Sequence, residues 1–320
     1  MSLSKLDQLK QYTVIVADTG DIESIRAFKP TDCTTNPTLI LKAAQMPAYA
    51  DILDEAIHWG QSCSGSQSAR TSAVCDRLAV SFGTALTKIV PGRVSTEVDA
   101  DLSFDTEASL AKARALISDY EARGISRERI LIKLAATWES IKAAEILQKE
   151  NIDCNLTLLF SLEQAVAAAQ ANVFLISPFV GRILDWHVKT TGQTYTSETD
   201  PGVLSVKAIF NHYKSHGYKT VVMGASFRNI GEIEALAGCD RLTIAPNLLE
   251  TLANDFGHLE ARLVKNSVSI LHKSEPHMNE HNFRFQFNEN AMAVEKLSEG
   301  IRGFTKDLNA LKQLVEARFV

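Results

Sequence analysis

The chain has 320 residues, 45% of them hydrophobic, with a formal net charge of −5, which suits one large α/β barrel or two smaller domains. A weakly acidic chain without a long basic run points away from nucleic acid. No stretch approaches the roughly 20 apolar residues of a membrane span, and the opening MSLSKLDQLKQY has no apolar signal core.

The five cysteines, Cys33, Cys63, Cys75, Cys154 and Cys239, form no CxxC pair, and an odd number suits reduced thiols in a cytoplasmic protein. The eight histidines show no HxH or HExxH, and no HxxxH on a convincing helix, so no metal is expected. HKSEPHMNEH (272–281) carries three histidines but also proline and asparagine, and reads as a solvated loop.

In chain order, TVIVAD (13–18) and DCTTN (32–36) read as short strands, rich in branched and aliphatic residues. Residues 37–92 form an insertion of about two helices joined by the polar loop QSCSGSQSAR. RVSTEVD (93–99) is the third strand. A helix over 105–124 follows, with Leu110, Ala113, Ile117 and Tyr120 on one face, Asp105 as N-cap and Gly124 as stop. RILIKL (129–134) and CNLTLLF (154–160) are strands four and five. SLEQAVAAAQA opens a helix on Ser161 and Gln164 at capping-box spacing. VFLISPF (173–179) is strand six, and a helix runs from Pro201 to Gly217. TVVMGAS (220–226) and RLTIAP (241–246) complete eight strands. From about 289 to 316, Val294, Leu297, Ile301, Phe304, Leu308 and Leu311 mark one long amphipathic helix, covering the barrel or a partner subunit.

Strands alternating with helices imply parallel pairing with right-handed crossovers. Eight such units predict a single (β/α)8 TIM barrel over 1–320, with an open doubly wound sheet as the alternative; no GxGxxG follows a strand.

Alternation along ILIKLAA turns Ile130, Ile132 and Leu134 toward the helices, and Leu131, Lys133 and Ala135 toward the barrel axis. Lys133 then sits near the C-terminal end of its strand, where barrel active sites form. A buried amine is driven to lose its proton and becomes a nucleophile toward carbonyls. A structural lysine paired with a carboxylate is the competing explanation.

Polar residues recur at that depth on other strands: Asp18, Asn36 (two after Thr34), Glu97, the same-face pair Asn155 and Thr157, and Ser177. Alone, each is a strand-end cap; Asn36 and Ser177 precede prolines, as turn residues do. Together they suggest a polar ring around the lysine. Arg182, and Ser226 with Arg228, follow strands six and seven, where a guanidinium fork suits an anionic substrate; each alone reads as a surface arginine.

The blocks VIVADTGD, TTNPTLI, PGRVSTEVDA, ILIKLAATW, CNLTLLFS, LISPFVGRILDW, DPGV, VVMGASFRN and AGCDRLTIAP, in order from about residue 10 to 250, resemble class I transaldolase. The resemblance implies Lys133 as the Schiff-base lysine, Asp18 as acid/base for carbon–carbon cleavage, and Glu97 with Thr157 holding a catalytic water. Asn36, Asn155 and Ser177 would bind the dihydroxyacetone portion, Arg182, Ser226 and Arg228 the phosphate, and Phe179 would be an aromatic at the site. It further implies a cofactor-free homodimer of the pentose phosphate pathway, with fructose 6-phosphate or sedoheptulose 7-phosphate as donor and glyceraldehyde 3-phosphate or erythrose 4-phosphate as acceptor. Ala136 departs from the serine many relatives carry; facing the helices, it should not alter the chemistry. The rivals are an aldolase releasing free dihydroxyacetone or its phosphate, a non-catalytic sugar-phosphate-binding barrel, and a metal-dependent hydrolase, for which ligands are lacking.

Overall fold

The computed structural model describes residues 3–264 and 276–319. Helix α1 (Lys5–Leu9) leads into β1 (Val14–Asp18), α2 (Ile22–Phe28) and β2 (Asp32–Thr34). Helices α3 (Pro37–Ala44), α4 (Ala50–Ser62) and α5 (Gln67–Thr87) separate β2 from β3 (Val94–Glu97). Then come α6 (Thr106–Ala122), β4 (Ile130–Ala135), α7 (Trp138–Lys149), β5 (Cys154–Leu159), α8 (Leu162–Gln170) and β6 (Leu175–Pro178). Helices α9 (Gly181–Thr191) and α10 (Pro201–His216) precede β7 (Val221–Gly224). Helix α11 (Ile230–Ala235), β8 (Arg241–Ile244), α12 (Pro246–Asn254), α13 (Glu280–Asn288) and α14 (Ala291–Glu316) complete the order.

All eight strands pair in parallel with their sequence neighbours, and β8 returns to β1, closing the barrel. This excludes the open sheet. A closed parallel sheet is buried on both faces, so its strands carry apolar residues inside and out; every residue of β4 and β5 is buried. Ile130, Ile132 and Leu134 join the shell between strands and helices. Leu131 packs inside with Val16, Leu175 and Met223, forming an apolar layer beneath the polar mouth. The predicted alternation therefore holds, and Ala136 lies in the outer shell.

Local signals act as their chemistry dictates. Asp105 accepts from Ala108 N–H at the start of α6, and Ser161 and Gln164 form a reciprocal capping box on α8. Gly217 ends α10 at φ +69°.

Four readings need correction. The 37–92 insertion holds three α-helices rather than two, because Pro37 and Asn36 start α3 directly after β2. Its polar loop shrinks to Cys63–Ser66, since Ser66 caps α5 through Ala69 N–H. Of the histidine-rich stretch 272–281, residues 272–275 lie outside the described residues, while Glu280 and His281 open α13 behind an Asn279 cap. Finally, His212 and His216 are an HxxxH pair on α10, their rings stacked at 4.1 Å, where no helical HxxxH was expected. Among the described residues no third metal-ligating side chain joins them.

The apolar stripe of α14 lies across the mouth. Leu297, Ile301 and Phe304 pack with Ala135, Leu158 and Phe179 from the strand ends. Leu158, at φ +52°, belongs to a bulge in β5 that turns it up toward this helix. Trp186 Nε1 donates to Glu295 at 2.7 Å, and the Thr38 hydroxyl donates to Asp307, tying α14 to α9 and α3. Among the described residues no helix is long and apolar enough to cross a membrane.

Candidate active site

The register of three adjacent strands sets the site. Glu97 on β3 stands opposite Lys133 on β4, and Lys133 opposite Asn155 on β5. All three face the axis just above the apolar layer. Lys133 is 5% exposed. Its Nζ donates to Thr35 O at 3.1 Å and lies 3.0 Å from Glu97 Oε2. The contact with Glu97 is an ion pair by distance, yet bent, so Glu97 Oε2 keeps unfilled hydrogen-bonding capacity. The lysine is thus not the isolated amine expected from burial alone: it has a carboxylate at hand that can take its proton.

Burial raises the Glu97 carboxyl above the ordinary range, offset in part by the Lys133 charge. Asp18, at the end of β1, is raised for the same reason, against the charges of Lys133 and Arg182 and the Thr34 hydroxyl. Thr34 Oγ1 donates to Asp18 Oδ1 at 3.0 Å and lies 2.7 Å from Thr243 Oγ1. Two carboxyls held above their usual range near one amine are chemically able to exchange protons with it.

Ser177 Oγ donates to Asn155 Oδ1 at 2.6 Å, and Asn155 Nδ2 donates to Ser95 Oγ at 3.2 Å. This fully buried network leaves the Asn155 amide in one orientation. Thr157 Oγ1 is buried with no partner among the described residues, a second oxygen with spare capacity in the pocket that Lys133 lines. Asn36 Oδ1 accepts from Leu39 N–H at 2.9 Å, capping α3 while the residue lines the pocket.

The pocket has a cavity volume of about 60 Å³. Asp18, Asn36, Lys133, Thr157, Ser177, Phe179, Arg182 and Ser226 all line it. Glu97 borders an adjoining cavity with Thr35 and Asp76 and meets the lysine from that side. Asn155 stands behind Ser177. The Arg182 guanidinium lies 5.0 Å from the Phe179 ring and 5.6 Å from that of Phe304. Burial, and then Arg228, lower its pKa; a crowded cation of this kind favours an anion. Arg228 stays at the rim, its Nη2 2.6 Å from Asp185 Oδ2 and its Nη1 3.3 Å from Ser226 Oγ.

Four wall residues, Thr34, Ala225, Thr243 and Phe304, were not expected as site groups. Thr34 and Thr243 share the inward parity of their strands and were legible from alternation. Phe304 comes from α14, 5.9 Å from Lys133 Nζ, and nothing in its own segment shows that the helix crosses the mouth.

Fold and site together define a (β/α)8 barrel centred on a buried lysine, with carboxyls of raised pKa near it and guanidinium groups at the rim. The chain belongs to the Transaldolase/Fructose-6-phosphate aldolase family, whose match spans residues 15–315. A Rhizobium etli protein named Transaldolase is 63% identical over 313 residues, covering 98% of this chain and 97% of that protein. Proteins of the same name from Agrobacterium fabrum, 63% identical with the same coverage, and Marinomonas sp., 60% identical over 98% of this chain and 99% of its own, are also similar.

Proposed function

We propose that this protein is a transaldolase of the pentose phosphate pathway that carries a dihydroxyacetone unit on Lys133. The donor is sedoheptulose 7-phosphate or fructose 6-phosphate, and the acceptor glyceraldehyde 3-phosphate or erythrose 4-phosphate. The observation that carries the reading is that Lys133, which lines one pocket with Asp18, has its Nζ 3.0 Å from Glu97 Oε2, which reaches it from the adjoining cavity.

Glu97 takes the proton from Lys133, whose lone pair then adds to the C2 ketone. The same carboxyl, through a water held with Thr157, returns protons as the carbinolamine loses water to the imine. The spare capacity of Glu97 Oε2 and Thr157 Oγ1 supports this pairing. The protonated imine is an electron sink, so the chemistry calls on no metal or cofactor. Asp18 removes the C4 hydroxyl proton, the C3–C4 bond breaks, and its electron pair moves into the imine to give an enamine. The aldehyde leaves; the enamine adds to the acceptor aldehyde and the steps reverse.

Asn36, Asn155 and Ser177 satisfy the hydroxyls of the bound three-carbon unit. Arg182, Ser226 and Arg228 hold the phosphate, lending remote binding energy to orientation, and Phe179 supports Arg182. We take the full chain as one barrel domain working in the cytoplasm as a homodimer. An erythrose 4-phosphate exchange assay tests the reading: the protein should transfer the unit between sugar phosphates, and Lys133→Met should abolish transfer. Free dihydroxyacetone accumulating without acceptor would instead mark the aldolase reading, which the family's other named activity keeps in view.

A further inference from the structure

The DPGV segment, residues 200–203, has no role in the chemistry above, yet its Gly202 packs against Val180 in the turn just before Arg182. Asp200 is 3% exposed and caps α10, its Oδ1 accepting from Gly202 N at 2.7 Å and Val203 N at 3.2 Å. Glu232 on α11 is 0% exposed, and its Oε2 accepts from Arg228 N at 2.7 Å. Its other oxygen, Oε1, has no donor among the described residues. The neighbour within hydrogen-bonding reach is the Asp200 carboxyl, itself an acceptor. Two buried acceptors that face each other are satisfied only when one proton sits between them.

The backbone around this pair is tightly interlocked. A Cβ on Gly202 would lie 2.2 Å from Val180 O, so α10 rests directly on the turn that begins α9. In that turn Val180 N donates to Ala225 O and Gly181 N to Ser226 O, both at 2.8 Å. A Cβ on Gly181 would meet Ser226 O at 2.5 Å and Arg228 Cγ at 2.6 Å. Ser226 is itself held at φ +61°, a conformation L-residues adopt only when their surroundings enforce it. The segment bearing Arg182 and the loop bearing Ser226 and Arg228 are thus fixed to each other and, through Arg228 N and Gly202, to the carboxyl pair.

We propose that Glu232 and Asp200, sharing one proton, clamp the anion-binding rim, and that Glu232 is a positioning residue for the phosphate end of the substrate. The inference rests on reading Arg182, Ser226 and Arg228 as the phosphate contacts. Burial pushes the Glu232 carboxyl up to about 7, with Arg228 N–H pulling it back and the Asp200 charge adding to the rise. Burial also raises Asp200, against the amides of Val203 and Gly202. The other charged groups facing the pair are Arg228 in the preceding loop and His187 on α9. Below that pH the proton is in place. Above it, two carboxylates repel one another behind the rim and add a negative charge beside a site built for an anion.

Inorganic phosphate as a competitive inhibitor, with fructose 6-phosphate as donor, reads the rim directly. Glu232→Gln presents an amide oxygen to Arg228 N and an N–H to Asp200, reproducing the protonated form at every pH. The wild-type inhibition constant, divided by that of E232Q to cancel the ionisation of phosphate itself, should rise about threefold or more between about pH 6.5 and about pH 8.5. Glu232→Ala should raise KM for fructose 6-phosphate about tenfold while kcat falls less. If E232A fails to fold, the E232Q ratio decides alone. A ratio flat with pH, while phosphate still competes in the wild type, overturns the clamp and leaves the anion site standing. Phosphate that does not compete in the wild type removes the anion site and the clamp together.

Discussion

Glu97 Oε2 and Lys133 Nζ meet at 3.0 Å from directly opposed positions on adjacent strands, with almost no solvent on either. A one-residue slip between β3 and β4 would send one of them to the helix side, so the barrel register itself places acid beside amine. Glu97→Gln keeps the shape but takes no proton. Imine formation, followed by rapid-quench trapping, should slow by about 10²-fold or more. Glu97→Ala should instead cost about 3–5 kcal/mol of stability by removing the buried partner of Lys133, readable as a lower midpoint in urea.

In the proposed mechanism Asp18 serves a different step. Asp18→Ala should still form the imine with fructose 6-phosphate, yet cleave it at least about 10²-fold more slowly, so the six-carbon adduct accumulates. Normal turnover would mean that another group takes the C4 proton.

Much of the arrangement around Lys133 was legible in the sequence. Period-two alternation in ILIKLAA turned Lys133 inward, and the same parity aligned Asp18, Asn155 and Ser177 at one depth, because a strand leaves a side chain only two directions. The Glu97–Lys133 pairing was not legible, since it depends on cross-strand register. Arg228 is a related case: the sequence placed it after β7, but only the fold shows it engaged by Asp185 from α9. Phe304 and the Asp200–Glu232 pair also come from long-range packing, to which local periodicity is blind.

Phe304, 4% exposed, reaches over Lys133 and Arg182 from α14. Phe304→Ala should cost about 3 kcal/mol of stability and open the mouth to water. Release of free dihydroxyacetone in the absence of acceptor should then rise relative to transfer, measured enzymatically beside the exchange rate.

The two raised carboxyls predict opposite pH trends for activity and stability. The proposed mechanism needs Asp18 ionised, so kcat/KM should fall on acidification at a pH above the ordinary aspartate value of about 3.9. A raised pKa means the folded state holds the proton more tightly than the unfolded chain. Its stabilising contribution is therefore full below the ordinary carboxylate value and is lost as pH rises through the raised one. Urea midpoints across this range should decline with rising pH in the wild type and less steeply in Asp18→Asn.

The covalent role of Lys133 can be tested most directly by borohydride reduction in the presence of fructose 6-phosphate, followed by peptide mass mapping. The expected product is a three-carbon fragment on Lys133 and loss of transferase activity in step with labelling. A fragment on a different lysine, or full activity after quantitative labelling of Lys133, would contradict the account.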